Sequence, residues 1–467
     1  MNIAEQAQEA LANGFATIAE QFKIPSSFPT VVVEAANNAA TDLVSGKPTW
    51  LENRRDVTHI PLVTLDPASS TDLDQAFAIE RDGDDLVLSY ALADVSAFVP
   101  SGSEIEKEAW LRGVTIYGLS NKVPLYPTVL SQGAASLLPD GPRPAVLVVV
   151  SISPTGKVRL RSIDRVVCAS RAKLAYDTID LSAIPHVEDF AKRMCADEIA
   201  RGAVRVEFPK QEIVVDESAP GGVRLVLSAR VESESVNSTL SLAVNMAIGS
   251  LFQDSHMGLF RVMDEPEPRA IELLRRAAHA LGIAWSENES LRDLQRRMDP
   301  DNFTHQQFLL DARRAGGRAR YAVFNGEKPP WHSAIAAVYA HATAPMRRLA
   351  DRYVLDLAYS LANGQSVPKS QTDQLAELPT VMERCENRAS NVDRAVIDLL
   401  EAVSLQHRVG EILIAEVVDA ANGIVQTRDP AIRARTMHLP KVENGASVRV
   451  RIDVADPSTR NVRLTAI

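Results

Sequence analysis

Apolar residues recur along this chain at three spacings, and each predicts a different kind of element. Over residues 3 to 22 and 29 to 45, Ala, Leu and Val return at helical intervals, and the two prolines of Pro25-Ser26-Ser27-Phe28-Pro29 interrupt the pattern. This predicts a small helical N-terminal arm over residues 1–50. Residues 51–408 begin with strand-like runs at Ile60 to Leu65, Ala76 to Glu80 and 84 to 99, with Arg81-Asp82-Gly83-Asp84 as a hairpin turn. Val146 to Ile152 is almost continuously β-branched, the pattern of a strand buried on both faces. Shorter strands are predicted at Asp164 to Val167, Arg205 to Phe208 and Val223 to Leu227. Helical spacing then takes over at 232–254, 267–281, 289–297, 303–315, 346–362 and 370–408. Strands early and helices late predict an α+β domain built on a mixed sheet. From Val409 the pattern changes to short alternating runs, Glu411 to Val418, Gly423 to Thr427, Ser447 to Val454 and Asn461 to Thr465, which predict an OB-like β-barrel over 409–467.

The chain has 467 residues, 46% of them apolar, enough for a sizeable core and about two to four domains. No run of about 18 apolar residues could span a bilayer, and the N-terminus lacks a basic-then-apolar leader pattern. Cys168, Cys195 and Cys385 are odd in number and widely spaced, so neither a disulfide framework nor a Cys-x-x-Cys metal site is indicated. A reducing, cytoplasmic setting and a monomer without membrane contact are expected. The formal charge of −10 argues against a surface that coats nucleic acid, but a local basic groove is compatible with an acidic exterior. Candidates for such a groove are Arg313, Arg314, Arg318 and Arg320, and Arg347, Arg348 and Arg352; for the first group a solvated helix face is an equal reading.

The chemistry is concentrated in Asp66-Pro67-Ala68-Ser69-Ser70-Thr71-Asp72-Leu73-Asp74-Gln75, which places three carboxylates within nine residues between two strands. Such a loop offers hard oxygen ligands at the mouth of a sheet, where Mg²⁺ is held by one or two carboxylates and by substrate phosphate. Asp-Pro and Ser-Ser-Thr-Asp are also ordinary turn chemistry, and spacing alone leaves both readings open.

The segment resembles the signature loop of the ribonuclease II/R (RNB) exoribonucleases, Asp-x-x-x-x-x-Asp-aliphatic-Asp-Asp, at Asp66, Asp72 and Asp74. Further matches follow in the family's order: Ala93-Asp94-Val95-Ser96-Ala97-Phe98-Val99, Val123-Pro124-Leu125-Tyr126-Pro127 with Leu130-Ser131 and Ala135-Ser136-Leu137, Arg171-Ala172-Lys173-Leu174-Ala175-Tyr176, Leu259-Phe260-Arg261-Val262, and Tyr339-Ala340-His341-Ala342-Thr343-Ala344-Pro345-Met346-Arg347-Arg348. The resemblance covers roughly residues 52 to 360. It implies an RNB-type catalytic domain over 51–408 and a metal-dependent 3′-to-5′ exoribonuclease that releases nucleoside 5′-monophosphates. Mg²⁺, with Mn²⁺ as a substitute, is the implied cofactor, and single-stranded RNA 3′ ends are the implied partner. Asp66, Asp72 and Asp74, with Gln75 beside them, are the implied metal ligands. Asp74, Asp72 and Arg347 are implied for catalysis, the arginine on the scissile phosphate. Tyr176, Tyr117, Arg348 and Thr239 are implied for RNA contact.

Departures from the family pattern accompany the matches. Gln75 replaces the fourth aspartate, Thr239 stands where a site glutamate is expected, and Ala344, Ala91 and Met263 replace a serine and two histidines. In its Asp-Leu-Asp-Gln form the loop resembles that of shorter bacterial members of the family. No room is expected before the catalytic part for the family's cold-shock domains. From Val409 onward eight Lys/Arg face seven Asp/Glu without an aromatic residue, so RNA contact there would rest on arginine; a structural cap is the equal alternative. The histidines lack metal-ligand spacing, and His341 is expected to be a positioned polar residue. The alternatives to the exonuclease are a catalytically impaired RNA-binding relative and a nuclease of altered mode, endonucleolytic or acting on short oligonucleotides.

Overall fold

The computed structural model describes residues 3–44, 54–118, 122–204, 210–216, 218, 219, 223–228, 231–299, 302–324, 326 and 330–467. Two helices, α1 (Ile3–Gln21) and α2 (Thr30–Val44), form the N-terminal arm. The expected boundary at residue 50 and the expected strand at Arg205 to Phe208 lie outside the described residues.

Strands β1 (Arg55–Asp56), β2 (Leu62–Asp66), β3 (Gln75–Asp82), β4 (Asp85–Ala93), β5 (Arg143–Ile152), β6 (Val158–Cys168) and β7 (Ser170–Ala175) make one mixed sheet in the order β1-β6-β5-β4-β3-β2-β7. Strands β3 to β6 form an antiparallel meander, with Gln75 opposite Leu92 and Leu92 opposite Val146. β2 meets β3 at a single register pair, Val63 with Phe77, because the Pro67–Asp74 loop spreads the two chains. On its other side β2 runs parallel to β7, which sets Asp66 opposite Ala175. β5 is buried on both faces at all but one of its ten positions, as its unbroken apolar run predicts. β6 is longer than the predicted Asp164 to Val167, since ladder pairing with β5 carries it through the polar positions Arg159 and Ser162.

Helix α3 (Glu104–Arg112) is capped by Ser103, whose hydroxyl accepts from Glu106 N–H, while the Glu106 carboxylate accepts from Gly102 N–H. Helix α4 (Val187–Arg201), the hairpin β8 (Lys210–Val215) and β9 (Val223–Ser228), and helix α5 (Glu232–Asp254) follow. α5 lies over the sheet through Val236, Leu240, Ala243, Val244 and Phe252. Between β10 (Leu259–Val262) and β11 (Arg320–Val323) sit α6 (Pro268–Ala280), α7 (Leu291–Arg296) and α8 (Phe303–Ala315), with a separate small core of Leu274, Ala278, Leu294 and Phe308. The short strands β12 (Trp331–His332) and β13 (Ala337–Val338) lead to α9 (Leu349–Ala362).

The long helix α10 (Lys369–Leu405) joins three parts of the molecule. Its Val392, Val396, Leu399 and Leu400 pack with Ala7 and Ile18 of α1. Its last residue, Leu405, enters the core of the C-terminal barrel. That barrel closes in the order β14-β15-β16-β18-β17, with β14 (Ile412–Asp419), β15 (Ile424–Thr427), β16 (Arg433–Met437), β17 (Ser447–Asp456) and β18 (Asn461–Ala466). The fold is thus α+β with an OB-like barrel, as the sequence predicts.

A Cβ at Gly14 would come within 2.5 Å of both Leu399 methyls, so α1 and α10 approach here as closely as a bare α-carbon allows. Gly14→Ala is expected to lower stability in urea unfolding by about 1–3 kcal/mol through overpacking. Adding Leu399→Val should restore part of that loss.

Candidate active site

The acidic loop is held from below by neighbours that the sequence places far away. Leu73 is fully buried, and its N–H donates to Ser136 Oγ at 2.9 Å, while Ser136 Oγ donates to Thr71 O at 2.8 Å. Leu137 N–H returns to Leu73 O at 3.0 Å, and Ala93 N–H donates to Asp74 O at 2.9 Å. With Leu73 turned into the core, the aspartates on either side of it turn the other way, as successive residues of an extended chain must.

Three carboxylates then face a small set of cations. Asp74 is 5% exposed; its Oδ1 accepts Met346 N–H at 2.7 Å and its Oδ2 lies 3.2 Å from Arg347 Nε. Burial pushes the Asp74 carboxyl up to about 7, against the pull of Arg347 and the Met346 N–H. Asp72 Oδ1 lies 2.6 Å from Lys122 Nζ. Asp66, at the end of β2, has a buried Oδ2 without a hydrogen-bond partner, and burial pushes its carboxyl up to about 6, opposed by Arg347 and reinforced by Asp72. Arg347 is half exposed, so its guanidinium meets both Asp74 and the outside. Its backbone carbonyl accepts Thr115 N–H at 3.0 Å, which brings the neighbouring Tyr117 to the same place. Tyr117 is half exposed; its phenol is pushed up to about 12 by partial burial, with Arg347 opposing and Asp72 and Asp74 adding to the rise.

The stretch before α9 is shaped by these contacts. A helix predicted from residue 346 begins instead at Leu349, because Arg348 is extended (φ −131°, ψ 121°) and bridges to Val114. Arg348 turns back on Asp351, with Nη2 2.6 Å from Oδ2, and the same oxygen accepts Ala344 N–H at 2.8 Å. Its guanidinium therefore braces the proline turn. Arg352 departs from the expected basic groove: it is 5% exposed and bonds Val99 O at 2.6 Å and Ser96 Oγ at 3.1 Å. Arg314, Arg318 and Arg320 pair with Asp311, Asn387 and Asp264 on the surface, the solvated-face reading. His341 is part-buried against Tyr321, with 3.1 Å between the phenol and Nδ1, and desolvation holds its pKa well below the ordinary value.

Tyr176 follows β7, and its N–H donates to Asp66 O at 3.2 Å. Its hydroxyl accepts from Asn237 Nδ2 at 2.7 Å, and burial followed by the Asp66 charge pushes the phenol up to about 12. The Gln75 amide oxygen accepts from Tyr90 OH at 2.6 Å and from Ser241 Oγ at 3.2 Å. To ligate an ion, as expected from the sequence, it would have to leave both donors. The Thr239 hydroxyl bonds Ser235 O at 2.8 Å, one turn back along α5. Ser233, Asn237 and Ser241 are the α5 residues that reach Tyr176 and Gln75, and sequence reasoning missed them because small polar residues in a helix carry no signal of which face they occupy.

Among the described residues no three His, Cys, Asp or Glu side chains already converge as a closed metal cluster. The donor set nevertheless suits a hard cation. Three carboxylates meet two side-chain cations, one carboxylate oxygen is buried and unpaired, and two of the acids hold protons more tightly than usual.

The RNB domain model matches residues 54–363, and the model of the RNase II-type exonuclease C-terminal S1 domain matches residues 412–467. The chain belongs to the RNB family. Ribonuclease R of Thermotoga maritima is 27% identical over 421 residues, which cover 83% of this chain and 58% of that protein. The chain thus spans about three fifths of the length of the curated relatives it matches. Mycoplasma genitalium RNase R, solved with ribose-methylated single-stranded RNA, superposes with a TM-score of 0.86 at 20% identity, covering 98% of this chain and 78% of that one. Yeast Ssd1, described as a pseudonuclease, superposes with a TM-score of 0.64 at 17% identity, covering 86% of this chain and 52% of that one. The RNB domain of this chain thus includes both the acidic loop and the Arg347 turn.

The raised carboxyls link this RNB site to pH. Asp74 keeps its proton up to about 7 in the fold but releases it near 3.8 when unfolded. The stability it adds is complete below about pH 4 and is lost as pH rises to about 7. Asp66 acts in the same direction, with its loss ending near 6. Asp74→Asn carries no charge at any pH and is expected to flatten the fall in urea midpoint between pH 4 and 7 in EDTA. An unchanged slope would contradict burial as the origin of the shift.

Proposed function

We propose that this RNB chain is a divalent-metal-dependent exoribonuclease that degrades single-stranded RNA from its 3′ end and releases nucleoside 5′-monophosphates. The observation that carries the reading is the trio of buried Asp74 and part-buried Asp66 and Asp72 beside a half-exposed Arg347, within a domain matched by the RNB model. Mg²⁺, or Mn²⁺ in its place, fits the all-oxygen donor set; Asp66, Asp72 and Asp74 would hold it. When bound, such ions activate water and neutralise charge on phosphoryl oxygens.

The chain's own residues supply the rest. Arg347 contacts Asp74 through Nε, so its terminal nitrogens can turn toward a phosphate and stabilise its growing negative charge. Lys122 keeps Asp72 paired until a more strongly charged partner arrives. Asp74 is fixed at one oxygen by the Met346 N–H, which orients the other. Tyr176 and Tyr117 lie beside Asp66 and Arg347, where stacking on an aromatic ring would grip any base without reading its identity. The RNA bound in the M. genitalium structure supports RNA as the substrate class.

A second reading, an RNA-binding relative without catalysis, is favoured by two observations. The Gln75 amide oxygen is already engaged, and the Thr239 hydroxyl is turned into its own helix. The likeness to a pseudonuclease shows that this fold also exists without the activity.

Purified protein and 5′-labelled single-stranded RNA separate the two. A metal-dependent ladder ending in very short products is expected, and Asp74→Asn should slow it by on the order of 10²-fold or more while RNA affinity persists. Arg347→Lys should lower the rate by a similar order, since an ammonium cannot reproduce a guanidinium fork. Intact RNA under both Mg²⁺ and Mn²⁺, with binding still measurable, would favour the second reading.

A further inference from the structure

Helix α5 carries polar residues at four-residue intervals, Ser233, Asn237, Ser241 and Asn245, which fall on nearly one face. Most of their polar atoms have a use. Ser233 Oγ donates to Tyr176 O at 2.7 Å, and Ser241 Oγ serves Gln75 and Tyr90. Asn245 donates to Tyr339 OH and Thr343 Oγ1 and accepts Ala342 N–H at 2.9 Å, fixing the strand that leads to Arg347. Asn237 spends only half its amide: Nδ2 donates to Tyr176 OH at 2.7 Å, whereas Oδ1 is buried without a partner in a residue 6% exposed.

An unpaired buried acceptor is rare and costly in a folded protein, and the donor that satisfies it is what the place selects. Asp66 Oδ2 is unpaired in the same way, and Tyr176 touches both residues, Asp66 through its backbone N–H and Asn237 through its hydroxyl. The two acceptors differ in charge. A cation goes first to the anionic carboxylate, whereas a neutral amide oxygen suits a neutral O–H donor. A terminal ribonucleotide lying against Tyr176 brings two such donors, its 2′- and 3′-hydroxyls.

We propose that Asn237 is a sugar-reading residue, whose Oδ1 accepts a hydrogen bond from a ribose hydroxyl of the nucleotide that packs on Tyr176. The assignment rests on the exoribonuclease reading and deepens it: RNA would be told from its deoxy analogue here by one neutral acceptor on α5.

The test uses the full chain and three 5′-fluorescein oligoribonucleotides that differ only in the last residue: all-ribo, 2′-deoxy or 3′-deoxy. Affinity is read by anisotropy in EDTA, and kcat/KM with Mg²⁺. The wild type is expected to disfavour one deoxy terminus by about tenfold or more, because a site built around a hydroxyl loses its bond when the hydroxyl is absent. The disfavoured terminus names the hydroxyl. Asn237→Ala should bring that ratio to within about twofold of unity, and Asn237→Asp, which keeps an acceptor, should retain the preference. A wild type that cuts RNA but ignores both deoxy termini overturns the assignment alone and needs no variant. So does Asn237→Ala with an undiminished ratio, or with a raised Mg²⁺ requirement and an unchanged ratio, which would give the oxygen to an ion. A wild type that neither binds nor cuts any of the three overturns the exoribonuclease reading as well.

Discussion

The local constraint on this molecule is the burial of negative charge. Asp74 and the Oδ2 of Asp66 are held where water cannot solvate them, and the fold compensates only in part, with Arg347 on Asp74, Lys122 on Asp72 and one Met346 N–H. An isolated carboxylate in such surroundings is expensive unless it is paired or protonated. Much of the surrounding structure can be understood as holding these groups in place. The Ser136 clasp fixes the loop, β7 fixes Asp66, and the proline turn braced by Arg348 and Asp351 delivers Arg347.

A second network lies beneath the first and has a different purpose. Asp94 is paired with Arg54 and approached by Arg165, which also holds Asp356, while Arg352 reaches Glu106 across the packed faces of α3 and α9. Arg54, Asp94, Arg352 and Glu106 are buried and Arg165 and Asp356 part-buried, and a mispacked alternative would leave such charges buried and unpaired. Such networks are weak sources of net stability and stronger sources of a unique arrangement. Arg352 looked in the sequence like part of a basic groove, and its burial here shows why charge runs alone misassign.

Much of the fold was legible because the hydrophobic period is strong. β5 and the helices α5, α9 and α10 lie where their spacing predicts, and so do most of the barrel strands. α3, α4 and β7 were not legible: α3 and α4 are mostly polar, and β7 has a half-buried pattern and is extended only because β2 supplies its ladder. At the site, the spacing of Asp66, Asp72 and Asp74 showed where to look, and the resemblance supplied Arg347. The partners that give those residues their properties were invisible. Lys122, Ser136, Met346 and Asn237 lie 50 to 272 positions away from the loop residues or tyrosine they hold, or act through a backbone N–H that any residue has. Gln75 and Thr239 were read as losses from a family pattern, yet Gln75 joins β3, β4 and α5 through Tyr90 and Ser241.

The long helix α10 gives the molecule a property that its domain description hides. Helix α1 rests on the same helix whose end enters the barrel core, and Gly14 meets Leu399 with no room for a methyl group. α1 and the barrel are therefore neighbours on one beam. Grafting either has to carry the matching stretch of α10 with it, or the exchanged part loses the surface it packs on.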